Sequence, residues 1–107
     1  MRPKTLPPGD KKDVGKPPYS LISRTALDEE AKVMAFGSTK YGTHQWRGGM
    51  DFSRLMDALL RHAYAFADGE DCDHETGLSH LAHVRCCAAF LLEYQGQKIG
   101  TDDRFKR

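Results

Sequence analysis

Proline is missing from most of this chain, because all five prolines lie at or before residue 18. Proline inside a helix removes a backbone hydrogen bond and clashes with the preceding turn, so the remaining residues are free to form helices. No apolar run approaches the roughly 20 residues that a membrane-spanning helix needs, and the polar, proline-rich start is unlike a secretory signal. These absences favour a helical protein that does not span a membrane.

Cysteine is scarce, and its spacing excludes two classes of small protein. Cys72, Cys86 and Cys87 are odd in number and form no CxxC pair. A disulfide-stapled fold and a structural zinc site both need paired cysteines. We therefore expect reduced thiols and a cytoplasmic location.

Neither sign of charge is in clear excess. The 16 Lys and Arg side chains against 15 Asp and Glu give a formal net charge of +1, which does not indicate a dedicated nucleic-acid-binding protein. Glycine-rich phosphate-binding motifs of the Walker and Rossmann types are also absent. We expect no specific nucleic-acid partner and no membrane partner.

Composition divides the chain into three parts. Residues 1–16 carry five basic and two acidic side chains, which predicts a flexible basic arm. Residues 17–95 hold a helical domain, and residues 96–107 form a polar C-terminal tail that we expect to fray. Since about ninety residues make only a small core, we expect a homo-oligomer, either a dimer or a tetramer, to complete it.

Apolar periodicity predicts three helices, at about residues 25–38, 53–67 and 76–94. The third is apolar on nearly every side, as in a bundle core or a dimer interface. The predicted fold is all-α, a small bundle of three to four helices.

The first predicted helix opens on a capping box formed by Thr25 and Asp28. Leu27, Ala31 and Met34 recur at helical spacing, so we expect them to form one buried stripe.

The densest set of chemically active groups lies between Glu70 and His83. Four carboxylates and three imidazoles fall in this segment, and their mutual repulsion has to be offset by a cation or a basic partner. A calcium-binding EF-hand loop does not fit, because the glycine comes one place late and the twelfth position is Ala82. The pattern fits Mg²⁺ or Mn²⁺, although acids opposing the dipole of the third helix would explain part of it.

Carboxylates on the first helix flank its apolar face and are the natural partners of this segment. A Mg²⁺ site takes only one or two protein carboxylates and shares the ion with substrate phosphates, so we expect a phosphorylated substrate. The candidate metal ligands are Glu29, Glu30, Asp73, Glu75, His80 and His83.

A glycine-punctuated loop between residues 37 and 49 carries aromatic and cationic side chains. Lys40, Tyr41, Trp46 and Arg47 are suited to stacking on a base and holding phosphates. A loop anchored by a buried Trp46 is an equally open interpretation.

His62 follows Arg61 near the middle of the second predicted helix, beside its apolar stripe. Histidines in such positions are more often hydrogen-bonded core residues than catalytic ones, and both roles stay open. In a catalytic site, Arg61 would hold phosphate oxygens.

Several ordered segments together resemble one known family. They are KPPYSL (16–21), LDEEAKV (27–33), KYG (40–42), LLRH (59–62) and ETGLSHLAH (75–83). This order resembles the phage-type dATP/dGTP diphosphohydrolase domain, whose members are similar to the all-α, MazG-like nucleoside triphosphate pyrophosphohydrolases. The resemblance covers about residues 14–94.

The resemblance implies an enzyme that hydrolyses a purine deoxynucleoside triphosphate, dGTP and/or dATP, to the monophosphate and pyrophosphate, with Mg²⁺ or Mn²⁺ as the cofactor. The location would be the host cytoplasm if a phage encodes the chain. By position, the family's motif residues correspond to Glu29, Lys40, Tyr41, Trp46, Arg61, His62, Glu75, His80 and His83.

One departure concerns the metal ligands. The wider MazG-like group uses EExxE followed by ExxD, but here Val33 stands at the third glutamate position. Glu70 and Asp73 have the ExxD spacing, yet they fall in a predicted loop. Ligand assignments therefore do not transfer from the wider group.

Two alternatives to a pyrophosphohydrolase stay open. One is a metal phosphohydrolase of the His-Asp helical type, which would release different products. The other is a non-catalytic helical binding module that uses residues 1–16 on nucleic acid, with salt-dependent binding.

The carboxylate hypothesis yields a mutational prediction. If Glu29 and Glu75 serve the metal or the attacking water, Glu29→Gln and Glu75→Gln should each lower turnover by about 10²-fold or more. Asp71→Asn, a surface change in the same acidic segment, should lose little. Turnover at saturating metal, with helicity checked by circular dichroism, measures the difference; near-normal turnover in both glutamine variants would move the chemistry to the histidines.

Overall fold

The computed structural model describes residues 14–106, which form three α-helices. These are α1 (Arg24–Tyr41), α2 (Phe52–Ala67) and α3 (His80–Gln97), with short 3-10 turns at Tyr19–Leu21 and Gln45–Gly48. Over this range there is no β-strand, and only isolated bridges are present. The prediction of a small all-α bundle is confirmed. The predicted basic arm falls almost entirely outside the described residues.

Helix α3 is the central element, because it packs against both α1 and α2. Phe52 at the start of α2 packs with Tyr94 near the end of α3, whereas His62 in the second half of α2 meets His80 at the start of α3. The two helices therefore run antiparallel. Within the part of the chain described, no helix combines the length and apolar character needed to cross a bilayer.

The helix starts differ from the predicted ones for reasons that lie in the caps. Ser23, not Thr25, caps α1, since its hydroxyl accepts the Ala26 N–H at 3.1 Å. The third helix begins at His80 rather than near Thr76, because Ser79 caps it and Thr76 belongs to the preceding turn.

The core consists of two clusters that share Phe90. One contains Val33, Ala82 and Cys86, and the other contains Phe52, Leu55 and Tyr94. Tyr94 is fully buried, and its hydroxyl donates to the Trp46 carbonyl at 2.6 Å. Burying a side chain of this size contributes about 1.5–3 kcal/mol, so this second cluster is the main attachment of the Trp46 loop.

The predicted buried stripe of α1 is wrong in its rotation. Leu27 is 45% exposed and Ala31 is exposed, whereas Val33 is the buried side chain and Met34 packs beside it. The side of α1 that contacts α3 carries Glu30 and Val33. The Glu30 carboxylate pairs with Arg85 of α3 at 3.1 Å.

The segment after α3 turns back onto the start of α2, so the expectation that it frays is wrong for residues 99–104. The Phe52 N–H donates to the Thr101 carbonyl at 2.9 Å, and the Asp103 carboxylate accepts both the N–H and the hydroxyl of Ser53, at 2.8 and 2.5 Å. Asp51 makes no capping bond with its own side chain. Asp103 therefore satisfies a free N–H of α2 and opposes the positive end of its dipole.

The return of the C-terminal segment depends on Gly100. Its φ is +76°, and a Cβ there would lie 2.6 Å from the Met50 carbonyl oxygen. We predict that Gly100→Ala lowers the free energy of unfolding by about 1–3 kcal/mol, through backbone strain and the clash. Urea denaturation followed by circular dichroism measures the change.

Gly96→Ala is the matched control, since a Cβ at Gly96 meets nothing within 4 Å and the residue lies in the last turn of α3. This change should stabilise the protein by up to about 1 kcal/mol. Equal stability of the Gly100→Ala variant and the parent would contradict the proposed close approach.

Candidate active site

The connection between α2 and α3 gathers the histidines and acids into one cluster. His62 comes from α2, Glu70 and Asp73 come from the connecting loop, and His80 and His83 project from the first turns of α3. The antiparallel packing of the two helices puts the second half of α2 beside the start of α3, which is why residues far apart in sequence meet.

Backbone hydrogen bonds hold the connecting loop in one conformation. The Asp73 N–H donates to the Leu78 carbonyl, and the Gly77 N–H donates back to the Asp73 carbonyl, each at 2.8 Å. Gly77 has φ +71°, a conformation that favours glycine. The Asp73 carboxylate is therefore fixed relative to α3 by its own backbone.

The hydroxyl of Thr76 uses its whole hydrogen-bonding capacity within this turn. It donates to Asp73 Oδ2 at 3.0 Å and accepts from the Leu78 N–H at 3.1 Å. His83 Nε2 lies 2.9 Å from the same oxygen. A hydroxyl has one hydrogen to donate, so His83 must donate its Nε2–H, which leaves its Nδ1 as a lone pair.

A chain of close contacts runs from Glu70 through His80 to His62. His80 has a side chain that is only 5% exposed, and its Nε2 lies 2.6 Å from Glu70 Oε1. Its Nδ1 lies 2.8 Å from Nδ1 of His62. The hydrogen bond from His80 lowers the pKa of Glu70, so the carboxylate is ionised and Nε2 of His80 is the donor. In the neutral ring, Nδ1 then presents a lone pair to His62.

Burial controls the charge of the surrounding groups. It lowers the pKa of both His62 and His83, and the repulsion that a second charged imidazole would meet lowers it further. For Asp73, burial acts in the opposite direction, but the N–H and hydroxyl of Thr76 together bring its pKa below the ordinary value. Neutral imidazoles and an ionised carboxylate are the protonation states that bind metals.

The metal-ligand set that the structure assembles differs from the set named from sequence. Among residues 14–106, one set of three His, Cys, Asp or Glu side chains has ligand atoms all within 4.8 Å of one another: His62, Asp73 and His80. Asp73 and His80 were expected as ligands, whereas His62 was expected in catalysis. Glu70 was not predicted as a site residue, and its ExxD spacing with Asp73 is the sequence signal that could have identified it.

The other four expected ligands have other partners. Glu29 pairs with Lys32 at 2.6 Å, Glu30 with Arg85 at 3.1 Å, Glu75 with Lys40 at 3.0 Å, and His83 with Thr76. Glu75 is still close to the cluster, since it flanks Thr76, and its pair with Lys40 ties the end of α1 to the connecting loop.

The expected base-binding and phosphate-binding residues separate into two places. Trp46 stacks on Phe90 with ring centroids 4.5 Å apart, and Arg47 lies 4.5 Å over the Trp46 ring and 3.8 Å from Glu93. Phe90 is ten residues along α3 from His80, or about 15 Å at 1.5 Å per residue. Trp46 therefore anchors its loop at a distance from the histidine cluster.

Lys40, Tyr41 and Arg61 are exposed, and Tyr41 keeps 61% of its surface accessible. Lys40 reaches the acidic loop through Glu75. Arg61 adjoins His62 in sequence, and its positive charge acts on that imidazole. Lys40 and Arg61 are thus linked to the cluster, the first through Glu75 and the second through His62.

A cleft of about 420 Å³ lies at the opposite end of the α2–α3 pair. Its lining includes Phe52, Tyr94, Asp102 and Arg104, and none of the clustered histidines. The histidine cluster holds three side chains whose possible ligand atoms lie within 4.8 Å of one another, so we take that cluster as the candidate site.

Known proteins resemble this chain over most of its length. The family described as dATP/dGTP diphosphohydrolase, N-terminal, has a model that matches residues 7–104. The dATP/dGTP diphosphohydrolase of Salmonella phage PMBT28 is 40% identical over 96 residues, which is 90% of this chain and 33% of the relative. The chain thus spans about one third of that relative's length. No solved structure matches significantly. On the strength of the family match, the chain belongs to the dATP/dGTP diphosphohydrolase N-terminal family.

Proposed function

We propose that this protein is a metal-dependent nucleoside triphosphate pyrophosphohydrolase that converts dGTP and/or dATP to the monophosphate and pyrophosphate. The observation that carries the proposal is the family match over residues 7–104. The histidine and carboxylate cluster beside exposed cationic side chains is consistent with it, because phosphoryl transfer needs a cation and phosphate-binding groups together.

The residues present fit a divalent cation. His80 is buried, and its Nδ1 lies 2.8 Å from Nδ1 of His62, with the Asp73 carboxylate nearby. His62, Asp73 and His80 would hold the ion, for which we propose Mg²⁺ or Mn²⁺ during turnover. When bound, the ion would neutralise phosphate charge and activate water.

The remaining roles fall to exposed side chains around the cluster. Lys40 and Arg61 would hold phosphate oxygens, and Tyr41 would stack on the purine. Water attacks the α-phosphorus, the bond from that phosphorus to the bridging oxygen breaks, and pyrophosphate leaves. Substrate phosphate would draw Lys40 away from Glu75, and the released Glu75 carboxylate would accept the proton of the attacking water.

The cluster also favours a second candidate function. Two histidines and an aspartate within 4.8 Å are the ligand types of the His-Asp phosphohydrolases. An enzyme of that kind would release inorganic phosphate or triphosphate in place of pyrophosphate.

Product identification separates the two candidates. We expect the full chain, incubated with a panel of ribo- and deoxynucleoside triphosphates and Mg²⁺ or Mn²⁺, to release pyrophosphate and monophosphate, fastest from dGTP or dATP. Ion-exchange chromatography resolves the products. Triphosphate with free nucleoside would favour the His-Asp type, and no turnover of any nucleotide would remove the proposal.

We also propose that the protein is a homo-oligomer, a dimer or a tetramer. Leu81 and Leu92 lie on one side of α3, with Leu92 67% exposed, and Leu60 and Tyr64 of α2 are also exposed. Exposed apolar side chains at helical spacing are typical of helix–helix interfaces. Light scattering at micromolar concentration should therefore give a mass of two or four chains. The Leu92→Lys variant should shift the protein toward monomer, and a stable, active parent monomer would contradict the proposal.

A further inference from the structure

The contact between His62 and His80 poses a problem of hydrogen bonding. Their Nδ1 atoms lie 2.8 Å apart, and Glu70 takes the only hydrogen of a neutral His80 at Nε2. Without an ion, a hydrogen on His62 Nδ1 can bridge the two nitrogens. If the hydrogen of His62 moves to Nε2, both Nδ1 atoms present lone pairs to the same point, and an electron-pair acceptor such as a cation is then needed between or beside them.

We propose that Nδ1 of His62, Nδ1 of His80 and the Asp73 carboxylate bind one first-row transition-metal ion, with Glu70 as the carboxylate that orients His80. This deepens the proposed function and rests on it for the use of the ion in hydrolysis.

The ligand types select the metal. Imidazole nitrogens suit Mn²⁺, Fe²⁺, Co²⁺ and Zn²⁺, whereas Mg²⁺ takes oxygen ligands and loses its waters reluctantly. Two imidazoles and one carboxylate at a site therefore favour a transition metal over Mg²⁺, and of the two ions proposed for turnover they favour Mn²⁺. The ionised carboxylates of Asp73 and Glu70 together balance the charge of a divalent ion.

Each ligand is held by a partner outside the set. Glu70 fixes the tautomer and ring orientation of His80, which is the usual arrangement for a metal-binding histidine. Thr76 clamps Asp73 through two hydrogen bonds, and His83 stacks on His62 with ring centroids 4.3 Å apart and planes 5° apart. The ligands are thus positioned by the fold before an ion arrives.

The thiols are poor competitors for the same ion. Burial raises the pKa of Cys86 to about 12 and raises that of Cys87, so both stay protonated and do not bind metal well. Cys72 is exposed and adjoins Asp73, but it is not among the converging ligands.

Metal titration of the full chain tests the proposal. The protein, prepared without a histidine tag and stripped with a chelator, should bind one Zn²⁺ or one Co²⁺ per chain by calorimetry. Both ions should bind at least roughly 100-fold more tightly than Mg²⁺. Bound Co²⁺ should give visible absorption bands without a thiolate charge-transfer band. In NMR spectra, Zn²⁺ should shift the imidazole signals of His62 and His80 and leave those of His44 in place.

Variants identify the ligands. His62→Asn and Asp73→Asn should each weaken Zn²⁺ binding at least roughly tenfold, and Glu70→Gln should weaken it by about 10–100-fold. His74→Asn is the matched control, because His74 contacts the other oxygen of Glu70 and is largely exposed. The affinity of the His74→Asn variant for Zn²⁺ should equal that of the parent. A substitution of the buried His80 could unfold the protein, so the variant is made at the partly exposed His62. The NMR measurement uses the parent protein and therefore does not depend on the folding of any variant.

Several outcomes would overturn the site: no binding of Zn²⁺ or Co²⁺ at millimolar concentration, a thiolate band, loss of binding in His74→Asn, or full affinity in His62→Asn and Asp73→Asn. If Zn²⁺ and Co²⁺ bind as predicted but no nucleotide is hydrolysed, the metal site is supported and the proposed function is removed. Hydrolysis with Mg²⁺ that is unaffected by His62→Asn would support the function and overturn the site.

Discussion

The hydrogen bond between the buried His80 ring and the Glu70 carboxylate is the constraint on which the rest of the site depends. At 2.6 Å, it joins the first residue of α3 to the loop that leaves α2. Leaving a buried imidazole unpaired would cost about 1–3 kcal/mol, so the loop has to return to this position for α3 to pack. The same bond occupies Nε2 of His80 and leaves Nδ1 facing His62, so the packing of the loop determines which nitrogen is available to a ligand.

The architecture around this bond explains why the site lies at one end of the bundle. Helix α3 is shared by both core clusters, and its apolar contacts with Phe52 and Leu55 lie toward its C-terminal end. Its N-terminal end contacts Val33 of α1 and the polar connecting loop. The apolar contacts and the Asp103 cap hold together the start of α2 and the end of α3. The buried polar groups lie at the other end of the pair, where the second half of α2 meets the start of α3.

The site carries an excess of negative charge, and a cationic side chain meets it only at its edge. Asp73 is kept ionised by Thr76 and Glu70 by His80, while burial keeps His62 and His83 neutral. The resulting excess of negative charge is what a divalent cation would neutralise. At the edge, the ion pair of Lys40 with Glu75 brings a cation from α1 to the same loop, where a phosphate group could replace the glutamate.

Periodicity and the absence of proline were sufficient to predict three helices, their approximate extents and an all-α bundle, because these depend on local backbone preference and on where apolar residues recur. The ordered motifs were sufficient to indicate the family. The starts of α1 and α3 were missed because caps depend on single side chains such as Ser23 and Ser79, and nearby hydroxyls compete for the role. The docking of Asp103 on Ser53 was missed because it joins positions 50 residues apart.

The sequence by itself determined which groups are available for chemistry: the acids and histidines between Glu70 and His83, with His62 and the glutamates of α1. Only the tertiary structure decided which of them meet. The register of α2 against α3 brings His62 to His80, and the turn at Gly77 carries Asp73 to the same place. The rotation of α1 turns Glu30 toward Arg85 of α3, whereas Glu29 pairs with Lys32 within α1. Register and rotation are set by packing between helices, and a pattern that repeats within one helix carries no information about its neighbour.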